Sequence, residues 1–311
     1  MSELNIIAEG LGFPEGPVAL SDGSVVVVEL AHARITRIAA DGTKTVVAEP
    51  GGGPNGLAVG PDGKLYCANN GGSMTWVDHG GLMAPGPHDP SRYSGGRIER
   101  IDLDTGAVEV VYDSCDGRPL RSPNDIVFDD QGGFWFTDLG ITFERTQDRT
   151  GLFYGKADGS SITEAIFPLD CPNGIGLSPD GKRLYTAETF TGRLISWELS
   201  GPGTPVLIPG LAGHGGTVLR GLGGEREMHG LDSLAVDGEG WVCVGTLMAG
   251  GITAVDPTGG TVEFYPTGDP LTTNICFGGP DLRTAFVTLS GTGRLASMPW
   301  PRPGLALAHS R

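Results

Sequence analysis

The chain has 311 residues, 53 of them glycine, and a formal net charge of −16. This acidic balance argues against nucleic acids and anionic membranes as partners, because both would repel such a surface. No apolar run approaches the ~18 residues of a membrane span, and the first residues lack the basic segment of a secretory signal, so we expect a cytoplasmic protein.

The predicted elements, taken in chain order, form six copies of one repeat. Each copy opens with a polar residue, continues as a short apolar strand, and turns into a second apolar strand, in most copies through an Asp-Gly-type pair. A third and a fourth β-rich run follow in most copies, which gives the four strands of a propeller blade. The opening residues are Glu15, Asn55, Asn124, Asn173, Asp232 and Asn274.

This repeat predicts an all-β fold, a six-bladed β-propeller with four-stranded blades, as a single domain over residues 1–311. The last copy lacks a fourth strand, and we expect the N-terminal run LNIIA (residues 4–8) to complete it, because an open edge invites aggregation. Two stretches, 70–94 and about 211–230, are predicted to be loops over one mouth of the central channel.

The six polar residues share one register just before the strand that lines the channel, so we expect them to form a ring around the axis. Carboxylates and carboxamides are the oxygen ligands that Ca²⁺ prefers, whereas zinc prefers nitrogen and sulfur. Asn-Gly pairs are also common in turns, and for Asn55 alone a turn is the favoured interpretation. Glu15 is a poor turn residue, however, and two axial carboxylates would repel each other without a cation. A metal site is therefore predicted.

Four motifs occur in the order FPEGP, SPNDIVFDDQGGFWFTD, PNGIGLSPDGKRLYTAE and LDSLAVDGEGWVCVGT. Together they resemble the regucalcin (senescence marker protein)/gluconolactonase/luciferin-regenerating enzyme family over essentially the whole chain. The resemblance implies a six-bladed propeller with one axial divalent metal and lactonase activity. It implies that Glu15, Asn173 and Asp232 are metal ligands, and that Asn124 is a ligand or reaches the metal through water. The late motif departs from the family's Pro-Asp-Gly.

The resemblance, added to the metal site, implies a metal-dependent hydrolase that opens a sugar lactone or another small lactone. Asp232 is the candidate general base, and Asn55, Asn274, Arg121 and His229 are candidate substrate contacts. Arg121 is included through the resemblance, although it lies three residues before the asparagine of the second motif rather than two. The predicted cofactor is one divalent ion, Ca²⁺ first, with Mg²⁺, Mn²⁺, Zn²⁺ or Fe²⁺ as alternatives.

Three other functions stay open from the sequence. A metal-dependent esterase or phosphotriesterase would use the same site, and a non-hydrolytic enzyme acting on a carbon skeleton would use the same pocket. A calcium-binding or interaction propeller without catalysis is the third. Serine-hydrolase chemistry is disfavoured because there is no GxSxG elbow. The sequence indicates neither the particular lactone nor the oligomeric state.

Overall fold

The computed structural model describes residues 4–210, 213–222 and 229–309. In this part of the chain the regular structure is almost entirely β, with one short 3-10 helix at Leu30–His32. The strands form six main antiparallel sheets, so the predicted six-bladed β-propeller is confirmed. Within the same residues no helix has the length and hydropathy needed to cross a membrane.

The first three blades follow the chain order of the repeat. Strand β1 (Asn5–Ala8) belongs to the last blade. Blade 1 contains β2 (Pro14–Ala19), β3 (Val25–Glu29), β4 (Arg34–Ile38) and β5 (Lys44–Ala48). Blade 2 starts with β6 (Pro54–Val59) and β7 (Leu65–Asn69), is interrupted by a hairpin of β8 (Thr75–Asp78) and β9 (Met83–Gly86), and ends with β10 (Arg97–Ile101) and β11 (Val108–Tyr112). After the hairpin β12 (Ser114–Cys115) and β13 (Arg118–Pro119), blade 3 contains β14 (Pro123–Phe128), β15 (Gly133–Asp138), β16 (Thr150–Lys156) and β17 (Ile162–Leu169).

The last three blades repeat this plan with one elaboration in blade 4. Blade 4 contains β18 (Pro172–Leu177), β19 (Arg183–Glu188), β20 (Arg193–Gly201), the short β21 (Thr204–Pro205) and β22 (Thr217–Gly221). Blade 5 contains β23 (Gly230–Val236), β24 (Val242–Leu247), β25 (Gly251–Val255) and β26 (Val262–Pro266). Blade 6 contains β27 (Thr272–Gly278), β28 (Thr284–Leu289) and β29 (Arg294–Pro299).

The ring closes through the N-terminal strand, as predicted. Strand β1 pairs antiparallel with β29, with Asn5 opposite Ser297 and Ile6 opposite Ala296. The first strands of the six blades contact one another in the cyclic order β2, β6, β14, β18, β23, β27 and back to β2. Six apolar clusters hold the blades together, and each lies mainly between two neighbouring blades. Burial of apolar surface between blades is therefore the main stabilising force, and it fixes the first strands around the axis.

Two stretches predicted to be loops contain strands. Residues 70–94 include the β8–β9 hairpin, which turns at two glycines with positive φ, Gly80 and Gly81. Its Met83 N–H donates to the carbonyl of Gly291, so the hairpin reaches from blade 2 to blade 6. Within 211–230, residues 217–221 form β22, which pairs with β20 as the outer strand of blade 4. Strand β22 was not predicted from the sequence because a long connecting segment separates this strand from its partner β20.

The C-terminal tail crosses the end of the channel opposite the ring. The Leu305 N–H donates to the carbonyl of Val236 at the far end of β23, at 3.3 Å. Farther along, the ring of His309 contacts Phe128 at the far end of β14, with 5.6 Å between centroids. Since these strands belong to blades 3 and 5 and the tail leaves from blade 6, the tail passes over the channel base.

Candidate metal and catalytic site

Every blade distorts its first strand at the predicted ring residue. The register between the first and second strands shifts at or beside that residue in all six blades. An irregularity of this kind bends the strand and changes the direction of a side chain. The six polar side chains are thus placed by the same local feature, repeated around the axis.

The glycine that follows several ring residues has a packing reason. A Cβ added at Gly16 would lie 2.2 Å from the carbonyl oxygen of Asn55 in the next blade. At Gly56 it would lie 2.6 Å from the Asn124 carbonyl oxygen, and at Gly174 it would lie 2.7 Å from that of Asp232. The glycines therefore let neighbouring first strands approach closely at the ring, which a turn would not require.

Two carboxylates from blades 1 and 5 meet at this level. Glu15 is 3% exposed, and its Oε2 accepts hydrogen bonds from the Gly16 N–H at 2.9 Å and from Asn274 Nδ2 at 3.0 Å. Burial raises the pKa of Glu15, and it raises the pKa of Asp232 strongly, with the Glu15 charge adding to the effect. Among the described residues, no lysine or arginine is one of the strongest influences on either pKa.

The carboxamides of blades 3 and 4 complete the inner part of the ring. Asn173 donates from Nδ2 to Thr189 Oγ1 at 3.1 Å, while its Oδ1 accepts from Ser233 Oγ at 3.3 Å. Asn173 also lowers the pKa of Asp232 by hydrogen bonding. Asn124 differs, because its buried Oδ1 has no donor among the described residues. A buried acceptor without a donor is costly and indicates a bound partner.

These residues fit a hard divalent cation. The two carboxylates repel each other, and Asn124 presents an acceptor that an ion would satisfy. In the described residues no three His, Cys, Asp or Glu side chains are gathered so that they could hold a metal. A site here must therefore draw on carboxamide oxygens, which suits calcium or magnesium better than zinc.

The four residues predicted to contact the substrate differ in burial and in their hydrogen-bond partners. Asn55 is 5% exposed at its ring position. Both polar atoms of the Asn274 side chain are engaged, Nδ2 with Glu15 and Oδ1 with the Ile275 N–H at 2.7 Å, so this residue orients Glu15. Arg121 donates from Nε to Asp148 Oδ2 at 2.8 Å. His229 is half-buried directly before β23.

One buried acid was not singled out from the sequence. Asp125 follows Asn124, and burial raises its pKa to about 7. Its Oδ1 accepts from the Ile126 N–H at 2.9 Å and its Oδ2 from the Ile175 N–H at 3.3 Å, which ties blade 3 to blade 4. The sequence could have indicated Asp125, because in the other five repeats the residue after the ring position is uncharged: Gly, Ser or Ile.

Comparison with known sequences finds one matching family model and several curated lactonases that are similar to this chain. The SMP-30/Gluconolactonase/LRE-like region matches residues 13–291. A gluconolactonase from Zymomonas mobilis subsp. mobilis is 30% identical over 92% of this chain and 79% of the relative. Lactonase drp35 from Staphylococcus haemolyticus is 27% identical over 86% of this chain and 72% of the relative.

Solved structures agree on the fold. A gluconolactonase from Xanthomonas campestris superposes with a TM-score of 0.74 at 21% identity, covering 96% of this chain and 90% of that structure. The calcium-binding protein regucalcin from Agrobacterium tumefaciens gives a TM-score of 0.73 at 20% identity, covering 98% of both chains. The match over residues 13–291, together with the Zymomonas relative, shows that this chain belongs to the SMP-30/gluconolactonase/LRE-like family.

Proposed function

We propose that the protein is a metal-dependent lactonase whose site lies at the ring end of the channel. Glu15, Asn124, Asn173 and Asp232 would hold one divalent ion, with Ca²⁺ the expected species. The named activities of the relatives, gluconolactonase and lactonase, support a lactone as the substrate. Cytoplasmic location is part of the same proposal.

One observation carries this proposal. Burial raises the pKa of Glu15 and of Asp232, the Glu15 charge raises the pKa of Asp232 further, and the Oδ1 of Asn124 at the same register has no donor among the described residues. Such an arrangement destabilises the fold unless a cation binds it, which is the pattern expected of a functional site.

A bound divalent ion would supply Lewis-acid polarisation of the ester carbonyl and stabilisation of the developing oxyanion. The chain supplies the remaining parts. Asp232 is half-buried, and its carboxylate accepts the proton of the attacking water. Asn274 orients Glu15 through its amide, and Thr189 and Ser233 orient Asn173. Asn55, Arg121 and His229 contact the substrate.

The test is metal removal and restoration during lactone hydrolysis. The protein is stripped with EDTA and then supplied with Ca²⁺, Mg²⁺, Mn²⁺ or Zn²⁺, while proton release is followed with γ- and δ-lactones. We expect turnover to disappear without metal and to return with at least one ion. p-Nitrophenyl acetate and a phosphotriester, assayed in parallel, separate a lactonase from the alternative hydrolases.

The matched variants are Asp232→Asn and Asp180→Asn. Asp180 lies in an exposed turn of the same repeat, so its change should leave turnover within about twofold. Asp232→Asn should lower kcat by about 10³-fold or more. Hydrolysis that persists after verified metal removal, or an active Asp232→Asn protein, would contradict the proposal.

A further inference from the structure

A cavity of about 230 Å³ lies beside the ring, between blades 1 and 2. Its wall includes Leu30, Gly53, Asn70, Met74, Trp76 and Arg92. Gly53, in the cavity wall, precedes the ring residue Asn55 by two residues. Since a strand rises roughly 3.3 Å per residue, the two positions are about 7 Å apart along the chain. The cavity is therefore near enough to hold a remote part of a molecule bound at the ring.

Asn70 carries a hydrogen-bond donor that the protein does not use. The residue is 1% exposed, and its Oδ1 accepts from the N–H groups of Gly72 at 2.9 Å and Ser73 at 3.3 Å. Reversing the amide would place its NH₂ group against these two donors, so the orientation is fixed. Its buried Nδ2 has no acceptor among the described residues. An unused buried donor is costly, and a bound acceptor would satisfy it.

The packing around Asn70 holds it in place. A Cβ added at Gly53 would lie 2.0 Å from Asn70 Oδ1, so only glycine leaves room for this amide. Ser73 in turn shares a buried hydrogen bond of 3.1 Å with Ser122, two residues before Asn124. Asn70 and its neighbour Ser73 therefore contact the segments that lead into the ring residues Asn55 and Asn124.

Arg92 gives the cavity a positive charge. It is exposed, and within the described residues its side chain makes no hydrogen bond or salt bridge, although it interacts electrostatically with the nearby Asp89. The positive charge stands out in a chain of net charge −16. Guanidinium and amide N–H groups together suit a carboxylate, through charge-assisted hydrogen bonds. Met74 and Trp76 offer apolar contact to the carbon chain next to it.

We propose that this cavity binds the carboxylate of a lactone that carries a second acid group, while the ester carbonyl lies at the ring. This rests on the proposed lactonase function and narrows its substrate class to lactones of dicarboxylic sugar acids. A neutral hydroxymethyl group would satisfy Asn70 but would leave the charge of Arg92 unused. We therefore expect the enzyme to prefer a lactone with a carboxylate over the same lactone with a hydroxymethyl group.

The test compares D-glucaro-1,4-lactone with D-glucono-1,4-lactone, which differ only in carrying a carboxylate or a hydroxymethyl group at C6. Asn70→Asp keeps the acceptor for Gly72 and Ser73 but replaces the donor by an anion. We expect KM for the acid lactone to rise about tenfold or more, with kcat and the neutral lactone changed less than about twofold. Arg92→Gln should act in the same direction by about three- to tenfold.

The control is Arg145→Gln, which removes a positive charge from a side chain that is 90% exposed and whose closest acidic group is its neighbour Glu144. It should leave KM for both lactones unchanged within about twofold. Equal effects of Asn70→Asp and Arg92→Gln on both lactones, or no effect on either, would overturn the proposal. Arg92→Gln keeps the test valid if Asn70→Asp fails to fold.

Calorimetric binding of D-glucarate, measured in EDTA, separates this proposal from the function itself. If neither lactone is hydrolysed but glucarate binds the wild type and binds Asn70→Asp about tenfold more weakly, the cavity assignment stands and the lactonase assignment fails. If lactones are hydrolysed but neither KM nor glucarate binding responds to Asn70→Asp or Arg92→Gln, the lactonase stands and the cavity assignment fails. Absence of both turnover and glucarate binding overturns both.

Discussion

Acidic side chains gather at both ends of the propeller, but in the described part of the chain the protein neutralises their charges at one end only. At the base, Arg302 of the C-terminal tail lies 2.6 Å from Asp237 Oδ2 and 2.9 Å from Glu263 Oε2. The same guanidinium lies over the ring of Trp241, 4.0 Å from its centroid. At the ring, Glu15 and Asp232 influence each other without such a partner among the described residues.

The acids at the base and the acids at the ring differ in whether the protein supplies a countercharge. At the base, hydrogen bonds from Tyr265 and then from Arg302 lower the pKa of the partly exposed Glu263, so the protein itself favours the charged form of this acid. Burial raises the pKa values of the two ring acids, and among the described residues no lysine or arginine is one of the strongest influences that would lower them again. The base therefore closes the fold, and the ring is where the proposed cation would bind.

The largest expected effect comes from Glu15→Gln, which removes one of the two ring charges. We expect kcat/KM for lactones to fall by about 10³-fold or more, because metal binding is lost. In EDTA the variant should equal the wild type in free energy of unfolding or exceed it by about 1–3 kcal/mol, since one buried charge is gone. Lactone assays and urea unfolding with and without Ca²⁺ measure both effects.

The matched control is Glu144→Gln, whose side chain is 92% exposed. It should retain full activity and the full stabilisation by Ca²⁺. If Glu15→Gln were destabilised in EDTA and still stabilised by Ca²⁺, the ring would be an ordinary hydrogen-bonded structure, and its contrast with the base would disappear.

The sequence was sufficient for the repeat and the ring because both depend on periodic signals. The polar residues recur at one register, and adjacent strands in a closed propeller must bring that register to the axis. Single, non-periodic contacts were not predictable. Asn70 and Arg92 lie near opposite ends of the stretch 70–94, and only the folded blade 2 places them around one cavity. The path of the C-terminal tail was also not predicted, because the Arg302–Asp237 contact joins residues that are 65 positions apart in the sequence.

The second prediction concerns Arg302→Met at the base. Arg302 is 8% exposed, and its removal leaves Asp237, which is fully buried, without its cation. We expect the free energy of unfolding to fall by about 3–5 kcal/mol. The folded fraction should keep kcat/KM within about twofold, since the base lies at the other end of the channel. Urea unfolding and lactone kinetics below the unfolding transition measure the two quantities.

Arg294→Met is the surface counterpart. Its Nε lies 3.0 Å from Glu9 Oε1, and the Arg294 side chain is 43% exposed, so the expected loss is about 0–1 kcal/mol. A similar small loss in Arg302→Met would mean that the tail does not stabilise the base. A large loss of kcat/KM in that variant would instead show that the two ends of the channel are coupled.

The smallest expected effect is the pH dependence of the Arg302 contribution. The hydrogen bond from Tyr265, and then Arg302, hold the pKa of Glu263 below its ordinary value of 4.5. A carboxyl whose pKa is lower in the folded state contributes stability above its unfolded pKa and loses that contribution as pH falls through its folded pKa. The difference in unfolding free energy between the wild type and Arg302→Met should therefore be constant above about pH 5 and shrink below about pH 4.5.

The Glu263 side chain is 38% exposed, so solvent screens its charge and the decrease should be at most about 1 kcal/mol. Urea unfolding of both proteins between about pH 3.5 and 7 in EDTA measures the difference. Tyr265→Phe removes the hydrogen bond of 2.6 Å to Glu263 and should move the onset of the decrease toward higher pH. A difference that stays constant down to about pH 3.5 would show that the charge of Glu263 adds nothing to the stabilisation by Arg302.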